Sequence, residues 1–165
     1  MMEDHLQYKR ARERALRLLA LRGRSRAELR KKLAERDFSE SVIERVLENL
    51  VELGYLDDEA FAVNRARHLA VNRLYGDRKI EEQLREKGVA REAAKAAIRE
   101  VREEFPEIEG IALSAAKKLQ GRSMDGLNKK ERLALARTLQ GRGYHLGLIL
   151  DYMGKYEEGI VHDIE

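Results

Sequence analysis

The sequence predicts an all-α fold: an elongated tandem array of three three-helix repeats, each a helix-turn-helix-like unit, about nine helices in all. Three observations point there. First, Leu29, Leu33, Asp37, Phe38, Val42, Ile43, Val46 and Leu47 recur 51 residues later as Ile80, Leu84, Gly88, Val89, Ala93, Ala94, Ala97 and Ile98. A further 55 residues on, the same positions read Leu135, Leu139, Gly143, Tyr144, Leu148, Ile149, Tyr152 and Met153. Second, 38% of the residues are charged, against roughly 25% in average domains, while aromatics make up 5% and Pro106 is the single proline. Third, the sign of the charge alternates in step with the repeat.

Each element has a local signal. Helix one of the first copy is predicted from Lys9 to Arg22, with Ala15, Leu16, Leu19 and Ala20 on its apolar face and Gly23 at its end. Ser25-Arg26-Ala27-Glu28 has capping-box spacing, so helix two starts there and buries Leu29 and Leu33. Asp37-Phe38 breaks the chain. Ser39 then caps helix three, where Ile43, Val46, Leu47, Leu50 and Leu53 recur at helical spacing until Gly54. Asp57 or Asp58 caps the next helix, which runs through Phe61, Ala66 and Leu69 to a turn at Tyr75-Gly76. Helices follow from Asp77 to Lys87 and from Ala90 to Glu104. The third copy opens near Glu107. Its longer connection, Gly121 to Asn128, ends in a second capping-box spacing at Asn128 and Glu131, and the last helix is expected to fade by Gly159.

These signals divide the chain into repeats at residues 1–57, 58–106 and 107–165. Pro106 steers Phe105 away from helical geometry and marks the clearest linker. Tyr55 and Leu56 are placed to pack across the first joint, which is therefore expected to be the stiffer one.

Charge follows this division. Residues 1–36 hold twelve Lys and Arg against five acids, and residues 37–60 one against eight. Residues 61–90 carry seven against four, residues 91–110 four against six, residues 111–145 eight against two, and residues 146–165 one against five. The first two helices of each copy are thus basic and the third acidic, which the net charge of +3 conceals. Stacking the copies would align these helices into a basic stripe facing a polyanion. Its candidate residues are Arg24, Arg26, Arg30, Lys31 and Lys32 in copy one. Arg78, Lys79 and Arg85 follow in copy two, and Lys129, Lys130, Arg132 and Arg137 in copy three. Glu40, Glu44, Glu48 and Glu52 recur every fourth residue on one helix face, where like charges repel, so basic neighbours neutralising this row is the plainer account.

Other features suit structural roles. Tyr55, Phe61, Tyr75 and Tyr144 have the chemistry to stack on bases, but aromatics at repeat junctions are ordinarily packing. Asp57-Asp58 fits capping better than metal or acid-base work. His68 beside Arg67 has the chemistry to touch phosphate, but a solvated histidine is the plainer reading. Gly121-Arg122-Ser123 lacks the Lys-Ser/Thr ending of a phosphate loop. With no cysteine and four scattered histidines, neither a metal site nor a cofactor is expected. No Ser-His-Asp grouping can be nominated, so no enzyme is expected. No apolar run or leader is visible, so a cytoplasmic protein without membrane contact is expected.

At this point the residues resemble a known family. Ala15-Leu16-Arg17-Leu18-Leu19 through Arg24-Ser25-Arg26-Ala27-Glu28-Leu29-Arg30-Lys31-Lys32-Leu33 resembles the opening of the RecX regulatory proteins. Gly54-Tyr55-Leu56-Asp57-Asp58, then Phe61, then Ile80, Leu84, Lys87, Gly88 and Val89, is similar to that family's middle segment, and the resemblance spans about residues 10 to 155. It implies a monomer of tandem three-helix repeats that binds the RecA recombinase filament on single-stranded or duplex DNA. There it would restrain strand exchange, ATP turnover and co-protease activity, with effects on homologous recombination, DNA repair and the SOS response. Two other readings stand beside it. One is an independent DNA-binding protein with a helix-turn-helix-like element in each copy. The other is a helical scaffold whose stripes pair only with each other.

Overall fold

The computed structural model describes residues 2–154, and the expected end of the last helix near Gly159 lies outside them. Among the described residues there are nine α-helices and no strand. They are α1 (Met2–Leu21), α2 (Arg26–Ala34), α3 (Glu40–Glu52), α4 (Asp58–Arg67), α5 (Asp77–Glu86), α6 (Arg91–Glu104), α7 (Glu107–Leu119), α8 (Lys129–Gly141) and α9 (Leu146–Tyr152). Within each trio the first helix packs on the third and the second packs beside them.

The repeated apolar positions become three separate cores. One gathers Leu29, Leu33, Val42, Ile43, Val46, Leu47 and Leu50 around Ala11 and Ala15 of α1. The second joins Ile80, Leu84, Ala94, Ala97 and Ile98 to Ala62 and Ala66 of α4. The third sets Leu135, Leu139, Tyr144, Ile149 and Met153 against Ile111 and Ala115 of α7. The break between second and third helices is also the same in each copy. Asp37, Gly88 and Gly143, which occupy one register position, all take left-handed backbone, with φ of 59°, 75° and 94°.

The caps form as the residue types dictate. Ser25 and Asn128 each make a complete capping box, with Glu28 and Glu131 reaching back to the cap N–H. Ser39 accepts from the Val42 N–H, and Asp57, not Asp58, accepts from Ala60. Three expectations need correction. Helix α1 starts at Met2 instead of Lys9, because Glu3 and Asp4 favour a helix start, Asp4 pairs with Arg45 at 2.6 Å and Tyr8 packs on the first core. Helix α4 does not run regularly through Leu69 but widens into a π-helical segment at His68–Asn72 that seats Leu69 and Ala70 in the core. Tyr55 does not pack across the first joint, since it is 59% exposed, whereas Leu56 is buried in the first core.

The two joints use the same surfaces. At the first, the start of α2 meets the turn before α6: the Ser25 hydroxyl donates to the Lys87 carbonyl, and any side chain on Gly88 would overlap Ala27. At the second, the start of α5 meets the turn before α9. Gly76 N–H donates to the Arg142 carbonyl at 2.9 Å and Arg78 N–H to the Gly143 carbonyl at 3.2 Å. A Cβ on Gly143 would lie 2.5 Å from both the backbone N and Cβ of Lys79. At this joint, expected to be the looser one, Arg102 bridges the Pro106 link, donating to Asp77, the Tyr75 carbonyl and the Phe105 carbonyl at 2.8, 3.0 and 3.2 Å. Asp77 N–H in turn donates to Glu107 across it at 2.8 Å.

Candidate functional site

The helix-two cations of the first copy are largely engaged within the chain. Arg26 pairs with Glu44 at 2.9 Å, Arg30 reaches both Glu40 and Glu44, and Lys32 pairs with Glu35 at 2.7 Å. Half of the glutamate row on α3 thereby finds its counter-charge. Arg24 donates to the Leu18 carbonyl at 3.3 Å and holds the end of α1. Lys31 alone among the five is exposed without a hydrogen bond or ion pair.

In the second copy, Arg78, Lys79 and Arg85 do come together. They line a cleft of about 540 Å³ beside Gln140, Gly141 and Gly143 of the third copy, but Glu81 and Glu82 line it too. Lys79 pairs with Glu82 at 2.6 Å, and that hydrogen bond raises the ammonium above its usual pKa and lowers the carboxylate. In the third copy Lys129 and Lys130 open α8, Arg137 lies in its exposed middle, and Arg132 folds back onto the Leu127 carbonyl at 3.1 Å. The Asn128 N–H and then Arg122 hold Glu131 below the carboxylate norm.

Glu28 is the most perturbed group at the first joint. Burial opposes its charge, but Arg22, Lys87 and the Ser25 N–H all donate to it and bring its pKa from 4.5 to about 2. Charged at neutral pH, it therefore ties the end of α1, the start of α2 and the second copy together.

A second set of basic residues lies on the first helices, and it was not singled out from the sequence. Arg10, Arg14 and Arg17 share a face of α1 and, with Arg36 and Phe38, line a cleft of about 320 Å³. In the second copy Arg65, His68, Lys87 and Phe61 line a cleft of about 390 Å³, with Arg22 reaching in from the first. In the third, Lys117 and Arg142 line one of about 510 Å³ with Tyr75 and Arg73 of the second copy. These clefts are related by the repeat. Arg14 and Arg65 stand 51 residues apart, as do Arg22 and Arg73, and Arg36, Lys87 and Arg142 are one register position. No carboxylate lines any of the three, in contrast to the clefts holding Arg78 and Arg26, although Arg22 and Lys87 of the second cleft pair with Glu28 behind it. Arg14 and Arg65 each keep a buried Nε–H with no protein acceptor. The signal that could have found them is that same 51-residue offset, applied to cations as well as to apolar positions.

Among the described residues, no group of three or more His, Cys, Asp or Glu is arranged to hold a metal ion, and no helix is long and apolar enough to cross a membrane.

Comparison with known proteins agrees with this architecture. Family models described as the first and second three-helix domains of RecX match residues 11–50 and 57–98. The regulatory protein RecX of Thermus thermophilus is 39% identical over 137 residues, covering 83% of this chain and 85% of that protein. The protein of the same name from Mycobacterium sp. strain JLS is 36% identical over 141 residues, covering 82% and 75%. A crystal structure of RecX from Lactobacillus salivarius superposes with a TM-score of 0.75 at 19% identity, covering 99% of this chain and 98% of that one. A second crystal structure, of a regulatory protein RecX, gives 0.77 at 23% identity over 92% and 73%.

Proposed function

Because the chain belongs to the RecX family of regulatory proteins, we propose that it binds the RecA recombinase filament on DNA and restrains it. In the cytoplasm it would lower strand exchange, ATP turnover and co-protease activity, and so temper recombinational repair and the SOS response. It acts as a monomer, by binding and not by catalysis, and needs no cofactor.

The observation that carries this reading is the joint used twice. Ser25 to Ala27 against Lys87-Gly88, and Gly76 to Lys79 against Arg142-Gly143, are the same contact displaced by one repeat. A joint with one fixed geometry presents equivalent faces at regular steps, which is the form needed to follow a helical polymer across several subunits. Of the helix-two stripe, Lys31, Arg78, Arg85 and Lys130 are exposed and make no ion pair, and we assign the filament contacts to these. Arg26 and Arg30 instead tie α2 to α3, and Lys32 pairs with Glu35 at the end of its own helix.

Titration of the protein into RecA turning over ATP on single-stranded DNA tests this. Hydrolysis should fall to a plateau as the filament saturates. Unchanged turnover over the whole titration would remove the proposal.

A further inference from the structure

We infer that the three clefts beside the first helices form one track for single-stranded polynucleotide, with phosphates seated among the arginines and bases against Phe38, Phe61 and Tyr75. This deepens the DNA half of the reading above and moves the nucleic-acid contact from the second helices to the first.

The inference rests on what lines the clefts. Many surface cations in this chain have a carboxylate at hand, as Arg30 has Glu44 and Lys79 has Glu82. Arg10, Arg14, Arg17 and Arg36 converge on one cleft, yet none of them makes an ion pair. Four guanidinium groups held together without counter-charge repel one another, an arrangement that an anion relieves.

Each cleft also includes one half-buried aromatic ring, supplied from a different register position in each copy: Phe38, Phe61 and Tyr75. Part of the cationic lining recurs with the repeat, at Arg14 and Arg65, at Arg22 and Arg73, and at Arg36, Lys87 and Arg142, so a ring accompanies recurring cations although its source changes. Cations beside an exposed ring face are the combination that binds single strands, where unpaired bases stack while phosphates are neutralised. Duplex offers phosphates but no free base face.

The test uses the whole protein and no RecA, so its failure is separable from failure of the filament proposal. Binding to a fluorescein-labelled oligo-dT is followed by anisotropy over a range of salt. Arg10→Glu, Arg17→Glu and Arg36→Glu together should weaken it about tenfold or more and reduce the log-log salt slope by about 2, three lost contacts at about 0.7 each. These side chains are exposed, make no ion pair and leave the core intact. The milder Gln versions, checked for helix content, should give a smaller loss in the same direction. A charge-matched variant on α6, Arg91→Glu, Lys95→Glu and Arg99→Glu, should lose far less. Wild type should prefer oligo-dT over a duplex of equal length. Equal losses in the two triple variants, an unchanged salt slope, or no preference for the single strand would each overturn the inference.

Discussion

The Tyr144 hydroxyl donates to the Leu74 carbonyl at 3.0 Å, tying the turn before α9 to the loop before α5 across 70 residues of sequence. Both residues are buried, and burial holds the phenol above its ordinary pKa, so it remains a donor at any pH where the fold is studied. Tyr144→Phe keeps the ring but leaves the Leu74 carbonyl without this donor. A loss of about 1–3 kcal/mol is expected in urea unfolding. A loss below about 0.3 kcal/mol would mean that the bond does not help to hold the second joint.

Backbone approach at the same joint gives a sharper contrast. Gly143 and Gly54 both have positive φ, 94° and 72°. Only Gly143 is pressed against a neighbour, with Lys79 at 2.5 Å from its hypothetical Cβ, while nothing lies within 4 Å of one at Gly54. Gly54→Ala should therefore cost only the left-handed penalty of about 1–2 kcal/mol. Gly143→Ala must also push α5 off the third repeat. It should cost clearly more and separate the unfolding of the last repeat from that of the first two, visible as two calorimetric transitions in place of one.

The array itself was legible in the residues because apolar periodicity and capping are local, and both follow from side-chain type. Ser25, Ser39, Asp57 and Asn128 cap as their chemistry requires, and the left-handed break recurs at Asp37, Gly88 and Gly143. The joints were not legible to the same degree. Pro106 marks a break in helical geometry but says nothing of Arg102, which spans that break from the preceding turn. The charge stripe was legible only in outline: basic neighbours neutralising the glutamate row was the plainer account, and Glu40 and Glu44 do meet Arg30, but counting cations cannot say which of them are so engaged. Arg10, Arg14 and Arg17 belong to the same basic block, and only the fold separates the paired cations from the unpaired.

Glu28 makes the first joint acid-sensitive. Its pKa falls from 4.5 to about 2 on folding, so between these values the unfolded chain binds more protons. Its contribution is complete above about pH 4.5 and is lost as the pH drops toward 2, with on the order of 3 kcal/mol as the ceiling for one such group. Glu28→Gln should flatten the acid limb of the stability curve and remove its advantage at pH 7. Parallel curves for variant and wild type from pH 7 to 3 would exclude Glu28 as the group responsible.

Arg30 and Glu44 separate a folding role from a partner role in the helix-two stripe. Arg30→Glu sets a third acid beside Glu40 and Glu44, and a stability loss of about 1 kcal/mol is expected from two broken exposed pairs plus repulsion. Adding Glu44→Arg re-forms the pair with its ends exchanged but also breaks the Arg26–Glu44 pair, so it should restore only part of that loss, and a double-mutant cycle measures the coupling. The swap moves a positive charge from α2 to α3 without changing the net charge. If Arg30 serves the fold alone, the exchanged protein should restrain RecA ATP turnover like wild type, whereas Arg78→Glu with Arg85→Glu should not. If the exchanged protein is stable but no longer restrains turnover, Arg30 belongs to the filament contact and its pairing with Glu44 is a resting state of the unbound molecule.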